Sequence, residues 1–200
     1  MAEITMEMIK KLREKTAAGM MDCKKALEEA GGDMEKAVDI LRQKGLAVAA
    51  KRAGKATKEG VVAAYIHANK KLGAMVEVNC ETDFVARTDE FQQFAYELAM
   101  HIAAANPICV AREEMPEEIL NREKEIYVAQ AKESGKPENV IEKIVQGKLE
   151  KFFKENVLLE QPFVKNPDLT IQDLLNELMT KTGERIQIRR FTRYVVGEES

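Results

Sequence analysis

A basic segment rich in alanine and glycine divides this chain into two unequal parts. Residues 44–58 read KGLAVAAKRAGKATK, with five basic side chains and no acidic one. Residues 1–58 hold 13 Lys and Arg against 9 Asp and Glu, whereas residues 59–200 hold 18 against 25. The resulting net charges of +4 and −7 indicate two units with different surfaces. We therefore predict a module at residues 1–45, a basic linker at 46–58 and a core domain at 59–200. The alanine-rich composition of this linker is compatible with partial helix, and the linker is either a solvated connector or a contact for an acidic partner.

The first unit has the pattern of three short helices around a small shared core. Apolar residues recur at helical spacing from Ile4 to Leu12. Capping and turn residues separate the helices at Thr5, Thr16, Gly19, Asp22, Gly31, Gly32 and Asp33. We expect Asp22 to begin the second helix and Asp33 the third, because short polar side chains favour the N-cap position. A unit of this size has a marginal core when it stands alone.

Two adjacent methionines, Met20 and Met21, follow Gly19 in the first of these turns. Two neighbouring side chains on a turn do not both point into the same core. Either one methionine packs and the other has no role, or the pair forms a binding surface, because flexible thioethers suit adaptable contacts. The sequence leaves both alternatives open.

The middle of the chain has the pattern of a β-hairpin followed by a long helix. The runs VVAAYIHA and AMVEVNC are joined by a loop that contains asparagine and glycine. In the second run Val76, Val78 and Cys80 share one face, which we expect to be buried. Thr88 is then placed to cap a helix with the sequence DEFQQFAYELAMHIAAA, whose apolar residues form a broad stripe.

An acidic and aromatic segment, Thr82-Asp83-Phe84-Val85, lies between this hairpin and the helix. Connections of this kind lie at the protein surface in most folds. Phe84 either folds back onto the core as an anchor, or stands exposed beside Asp83 as an aromatic wedge for a partner. The pattern alone does not choose between these two placements.

The remaining sequence predicts more helix and a last strand. A helical hairpin is expected over about 117–158, Thr170 and Asp173 form a capping-box pattern, and RIQIRRFTRYVV favours a strand. The short run ICVA around Cys109 predicts a further strand. The fold class is therefore α+β, a small antiparallel sheet packed with helices. The arginines of the last strand fit solvated or carboxylate-paired positions better than an RNA platform, because no aromatic residues are interleaved in the manner of RNA-binding sheets.

No sequence motif for covalent or metal catalysis is present. The chain has no P-loop, GxGxxG, HExxH or GxSxG, and Cys23, Cys80 and Cys109 are too scattered for a disulfide framework or a CxxC metal site. Nothing in the pattern orders a cysteine against His67 or His101. The N-terminal sequence lacks the apolar region of a secretory signal, and no apolar run approaches a membrane span. We expect a cytoplasmic protein that is not an enzyme and needs no metal or cofactor.

Two segments resemble the signature sequences of a known family. Residues 12–27, LREKTAAGMMDCKKAL, and residues 77–87, EVNCETDFVAR, are similar to the two signatures of bacterial elongation factor Ts. Their order and separation also fit, and the resemblance covers the whole chain at the length of the family's short form. Ala17 departs from the pattern, because the family usually has glycine at this place in the turn.

The resemblance implies a guanine-nucleotide exchange factor for elongation factor Tu in protein synthesis, with a three-helix module of the ubiquitin-associated type. The family positions that contact elongation factor Tu correspond to Arg13, Met20, Met21, Thr82, Asp83, Phe84 and Val85. The last four match the segment that dislodges the partner's Mg²⁺. The GDP-bound and nucleotide-free forms of elongation factor Tu are the implied partners, and no direct contact with nucleic acid or membrane is expected. A homodimer and a complex of two copies with two partner molecules both remain open.

Two other functions compete with nucleotide exchange. An adaptor would bind a partner through the three-helix unit without accelerating nucleotide release. An RNA-binding factor would use the basic linker and the arginine-rich strand, and its affinity would fall steeply with salt. Neither function accounts for both signature segments in one chain, so nucleotide exchange is the function that we expect.

Overall fold

Helices and strands follow one another in the order expected of an α+β fold. The computed structural model describes residues 4–16, 18–52, 54–133 and 137–198. Ala17, where the sequence departs from the family signature, lies outside the described residues. The α-helices are α1 (Met6–Thr16), α2 (Met20–Glu29), α3 (Met34–Arg52), α4 (Asp83–Ala86), α5 (Asp89–Ala105), α6 (Glu117–Glu133), α7 (Glu138–Asn156) and α8 (Ile171–Thr182). The strands are β1 (Glu59–Ile66), β2 (Leu72–Cys80), β3 (Pro162–Phe163), β4 (Asn166–Thr170) and β5 (Gln187–Val195).

The three N-terminal helices pack around their own apolar core. Its buried residues are Ile9, Leu12, Ala18, Cys23, Ala26, Leu27 and Ala37. Thr5 accepts a hydrogen bond from the backbone N–H of Met8 at 3.2 Å, and Asp33 accepts one from that of Lys36 at 3.1 Å. The predicted caps at Thr5 and Asp33 are thus confirmed.

The predicted start of the second helix was wrong by three residues. Helix α2 begins at Met20 with Gly19 as its N-cap, and Asp22 lies inside the first turn. A carboxylate in the first turn interacts favourably with the helix dipole, so Asp22 stabilises α2 without capping it.

Helix α3 continues into the predicted basic linker. It continues to Arg52, so residues 46–52 of the predicted linker are helical and the boundary predicted at residue 45 falls inside a helix. The alanines of this stretch have high helix propensity, which supports the extension. Gly45 lets α3 approach α8 closely, because a Cβ there would lie 3.2 Å from the Cβ of Asn176. The three-helix unit is therefore packed against the rest of the chain along α3.

The central sheet has the strand order β1-β2-β5, with both pairs antiparallel. The predicted hairpin is confirmed, and Val76, Val78 and Cys80 are buried on the face that α5 covers. Thr88 caps α5 as expected, since its hydroxyl oxygen accepts from the backbone N–H of Phe91 at 3.3 Å. Gly60 is required at the start of β1: its φ is +152°, and a Cβ would lie 2.2 Å from the carbonyl oxygen of Val78.

The C-terminal part contains the predicted helical hairpin, formed by α6 and α7. Arg112 stabilises this hairpin by donating hydrogen bonds to both Glu150 and Glu160. The Arg112 guanidinium also lies 4.4 Å from the centroid of the Phe153 ring. These two carboxylates raise the pKa of Arg112, so its charge is permanent. The capping box is also confirmed, since Asp173 accepts from the backbone N–H of Thr170 at 2.9 Å and Thr170 accepts in return.

The strand predicted from the run ICVA does not form. Cys109 makes one isolated parallel bridge with Val157, and the chain turns at Arg112 into a short 3₁₀ helix before a ladder can extend. The small hairpin of β3 and β4 was not predicted, because two prolines, Pro162 and Pro167, disfavour strands in its sequence. Within the described residues, no helix is long and apolar enough to cross a membrane.

Candidate partner-binding site

The acidic and aromatic segment forms a single helical turn at the end of β2. Thr82 caps this turn, α4, because its hydroxyl oxygen accepts from the backbone N–H of Val85 at 3.4 Å. The hydroxyl of Thr88 donates to the carbonyl oxygen of Val85 at 2.8 Å and joins α4 to the cap of α5. The sequence predicted a connection here but no helix, since one turn leaves no apolar periodicity to detect.

Phe84 points into solvent from this turn, whereas Val85 and Ala86 face the core. Phe84 is 79% exposed, whereas Ala86 is buried and Val85 is half-buried against the main core. Asp83 forms an ion pair with Arg87 one turn later, with 2.9 Å between oxygen and nitrogen. Of the two placements that the sequence left open, the structure has Phe84 as an exposed ring beside a carboxylate.

Two glutamates attach this turn to the segment between α8 and β5. Glu184 accepts hydrogen bonds from the backbone N–H groups of Glu81 and Thr82, both at 3.1 Å, and from the Thr82 hydroxyl at 2.6 Å. Glu81 in turn accepts from the backbone N–H of Arg185 at 2.7 Å. We call this reciprocal set, Glu81, Thr82, Glu184 and Arg185, the glutamate clasp. Sequence analysis missed it, because nothing local marks a carboxylate that binds backbone groups about a hundred residues away.

A buried thiol binds the carbonyl group of Thr82. The Sγ of Cys80 donates to the carbonyl oxygen of Thr82 at 3.1 Å. Burial, reinforced by the nearby charge of Glu184, raises the pKa of Cys80 to about 11. Burial likewise raises the pKa of Cys109 to about 11. Both thiols therefore stay protonated near neutral pH, whereas a nucleophilic cysteine requires a lowered pKa.

The other residues implied by the resemblance lie on the three-helix unit. Arg13 is exposed on α1, and Met20 and Met21 are exposed in the first turn of α2, Met21 to 64%. Neither methionine is among the buried core residues of the unit. The structure thus has two separate groups of exposed residues, one on the three-helix unit and one on α4 of the core.

An ion pair connects the two units near the second of these groups. The guanidinium of Arg52, in the last turn of α3, lies 3.0 Å from a carboxylate oxygen of Glu81. Glu81 is also a member of the glutamate clasp. A polar path therefore runs from α3 to the residue that caps α4.

The buried histidine and two arginines of β5 have structural partners. His101 is fully buried, its Nε2 lies 2.9 Å from the side-chain oxygen of Gln161, and its Nδ1 accepts from the backbone N–H of Val164. Arg190 pairs with Glu77 at 2.8 Å and Arg193 with Glu198 at 3.1 Å. Among the residues that the structure describes, no group of three His, Cys, Asp or Glu side chains is placed to hold a metal ion.

The sequence of this chain matches a known protein family. The family model described as "Elongation factor TS" matches residues 2–198, nearly the whole chain. The chain belongs to the elongation factor Ts family. Arg13, Met20 and Met21 lie in the segment that resembles the first signature of this family, and Phe84 lies in the segment that resembles the second.

Curated relatives named elongation factor Ts match over almost their entire lengths. The protein from Carboxydothermus hydrogenoformans is 64% identical over 195 residues, which cover 98% of this chain and 90% of the relative. The protein from Desulfotalea psychrophila is 66% identical over 194 residues, 97% of this chain and 98% of the relative. The protein from Thermotoga maritima is 59% identical over 196 residues, 98% of each chain. Several elongation factor Ts proteins therefore have about the length of this chain.

Proposed function

We propose that this chain is the guanine-nucleotide exchange factor of elongation factor Tu in protein synthesis and acts by disturbing the partner's Mg²⁺ site. Membership of the elongation factor Ts family implies nucleotide exchange on elongation factor Tu. The observation that carries the mechanism is the placement of Phe84, an aromatic ring that is 79% exposed on a turn held at its capping residue. Exchange of this kind forms no covalent bond and requires no cofactor in this chain.

The two groups of exposed residues have different roles in this proposal. Arg13, Met20 and Met21 bind the nucleotide-binding domain of elongation factor Tu, where the methionines adapt to an apolar surface. Phe84 then enters an apolar slot of the partner, and burial of a phenylalanine supplies about 1.5–3 kcal/mol. Thr82 and Val85 hold the inserted turn in shape.

Insertion of Phe84 weakens nucleotide binding through the metal ion. Mg²⁺ demands near-ideal octahedral geometry and bridges phosphates and protein groups, so a small displacement of its surroundings is costly. Asp83 would bring a carboxylate to the same place, where it would accept hydrogen bonds from the water shell of the ion in competition with the partner's own acceptors. Once the metal is displaced the phosphates lose their counter-charge and GDP leaves.

Exchange of this type is a coupling between two ligands of elongation factor Tu. If this chain weakens nucleotide binding by a given factor, nucleotide weakens the binding of this chain by the same factor. The chain therefore accelerates release of either nucleotide, and the concentrations of GTP and GDP set the direction.

The exchange proposal is tested by stopped-flow release of a fluorescent GDP from elongation factor Tu at fixed Mg²⁺. We expect saturable acceleration by orders of magnitude with the parent chain. The double variant Asp83→Ala/Phe84→Ala should lose most of that acceleration, whereas Tyr96→Ala, which removes another exposed aromatic ring, should keep it. Parental rates in the double variant would refute the wedge. A stable complex without faster release would identify the chain as an adaptor.

A further inference from the structure

The turn that carries Phe84 is held by a residue 102 positions further along the chain. We propose that Glu184 is a positioning residue for Phe84, which fixes the direction in which the exposed ring leaves the core. The inference rests on the proposed function, because Phe84 is there the residue that enters the partner. It adds to that function a residue which neither signature segment contains.

Both carboxylate oxygens of Glu184 accept hydrogen bonds from residues at the start of α4. One oxygen accepts from the backbone N–H groups of Glu81 and Thr82, and the other accepts from the Thr82 hydroxyl at 2.6 Å. Hydrogen bonds to an ionised acceptor are about twice as strong as neutral ones. A single side chain thus fixes two consecutive peptide N–H groups and the rotamer of Thr82.

The Thr82 hydroxyl passes this constraint on to the helix. Its proton is donated to Glu184, while its oxygen accepts from the backbone N–H of Val85. The carbonyl oxygen of Thr82 accepts from Cys80 on its other side. The backbone N–H, the hydroxyl and the carbonyl oxygen of Thr82 therefore each have a defined partner. Thr82, two residues before Phe84, is thus held in one orientation.

Helix α4 needs such external support because it is one turn long. Helix nucleation is unfavourable, and an isolated turn of four residues has no stability of its own in water. Phe84 contributes none, since its ring lies in solvent. The order of the turn comes from the glutamate clasp, from Val85 and Ala86 on the core, and from the link to Thr88.

Preorganisation of the turn matters most for the step in which the ring is inserted. A mobile turn must lose its conformational freedom during insertion, whereas a fixed turn has already lost it on folding. Docking through the three-helix unit does not use this turn. Loss of Glu184 should therefore lower the maximal rate of GDP release more than it raises the concentration of this chain needed for half-saturation.

The experiment compares Glu184→Ala and Glu184→Gln with the parent in stopped-flow GDP release. We expect the maximal rate to fall about tenfold in Glu184→Ala, with the half-saturating concentration changed by less than about threefold. The control is Glu97→Ala. This variant removes a partly exposed carboxylate on α5, which pairs with Lys165. In the Phe84→Ala background, Glu184→Ala should have little further effect, because the positioned ring is already absent.

A second readout needs no partner and no exchange activity. The chain contains no tryptophan, so Phe84→Trp introduces a single fluorophore at the tip of the turn. We expect time-resolved anisotropy to show a larger amplitude of fast local motion when Glu184→Ala is added. Thr82→Ser should keep the motion restricted because it keeps the hydroxyl, whereas Thr82→Val should release it. The threonine variants also test the inference if Glu184→Ala fails to fold.

The outcomes separate the inference from the proposed function. Unchanged anisotropy, or an equal loss of rate in the parent and Phe84→Ala backgrounds, would overturn the positioning role of Glu184. Parental exchange rates in Phe84→Ala would instead overturn the wedge, and the anisotropy measurement would still decide whether Glu184 fixes position 84.

Discussion

Arg52 and Glu81 form an ion pair, with 3.0 Å between nitrogen and oxygen, that joins the last turn of α3 to the residue before the cap of α4. Arg52 belongs to the basic stretch that the sequence presents as a linker, and Glu81 belongs to the second signature segment. The pair therefore fixes the end of the three-helix unit beside the turn that carries Phe84. This contact gives the basic stretch an acidic partner within the same chain.

We expect the Arg52–Glu81 pair to contribute about 0.5–1 kcal/mol to the free energy of unfolding. Both side chains keep some solvent contact, so the gain is modest and should shrink in 1 M salt. A double-mutant cycle with Arg52→Ala and Glu81→Gln, followed by urea unfolding, measures the coupling. Glutamine is chosen because it retains an acceptor for the backbone N–H of Arg185.

The matched control for this cycle is the pair Lys44–Glu29, whose side chains are both well exposed. We expect its coupling to be close to zero. Equal coupling in the two cycles would show that the contact between α3 and the core adds nothing to an ordinary surface pair.

Glu177 on α8 should make the protein less stable as the pH rises. Burial raises the pKa of this carboxyl from 4.5 to about 7 although Lys181 lies 3.2 Å away, because desolvation outweighs the ion pair. Between about pH 4.5 and 7 the unfolded chain has lost this proton while the folded chain keeps it. The unfolding free energy therefore falls with pH across this window and stays lowered above it.

The measurement is urea unfolding of the parent and Glu177→Gln at several pH values. The variant should match the parent near pH 4 and be more stable above pH 7, by at most about 3 kcal/mol. Burial lowers the pKa of His101, which makes stability rise with pH below about 6.5. Because His101 is present in both proteins, its effect cancels in the difference. A difference that does not vary with pH would contradict the role of Glu177.

Local chemistry explains which parts of the fold were predictable. The caps at Thr5, Asp33, Thr88 and Thr170 were found because each cap and its acceptor or donor lie three residues apart in sequence. The hairpin of β1 and β2 was found for the same reason, since its alternating pattern and its turn are contiguous. The strand at Cys109 was predicted wrongly, because a short apolar run does not reveal whether a partner strand is available.

The candidate site likewise has one property that the sequence predicted, the identity of its residues, and one that it did not, their exposure. The signature segments named Phe84, Met20 and Met21, but the sequence left open whether these side chains were buried. Exposure was decided by tertiary structure, because it depends on which neighbours cover a side chain and not on the side chain itself. The structure placed Phe84 in solvent and Val85 against the core.

The sequence by itself determined the long helices, the β1–β2 hairpin, the last strand and the family, since helix caps, alternating strands and signature motifs are properties of contiguous residues. Only the tertiary structure decided how the Phe84 turn is held and where the three-helix unit is attached. Glu184 and Thr82 are 102 residues apart, and Arg52 and Glu81 are 29 apart. A carboxylate that binds backbone N–H groups leaves no pattern in sequence, because any residue except proline supplies the donor.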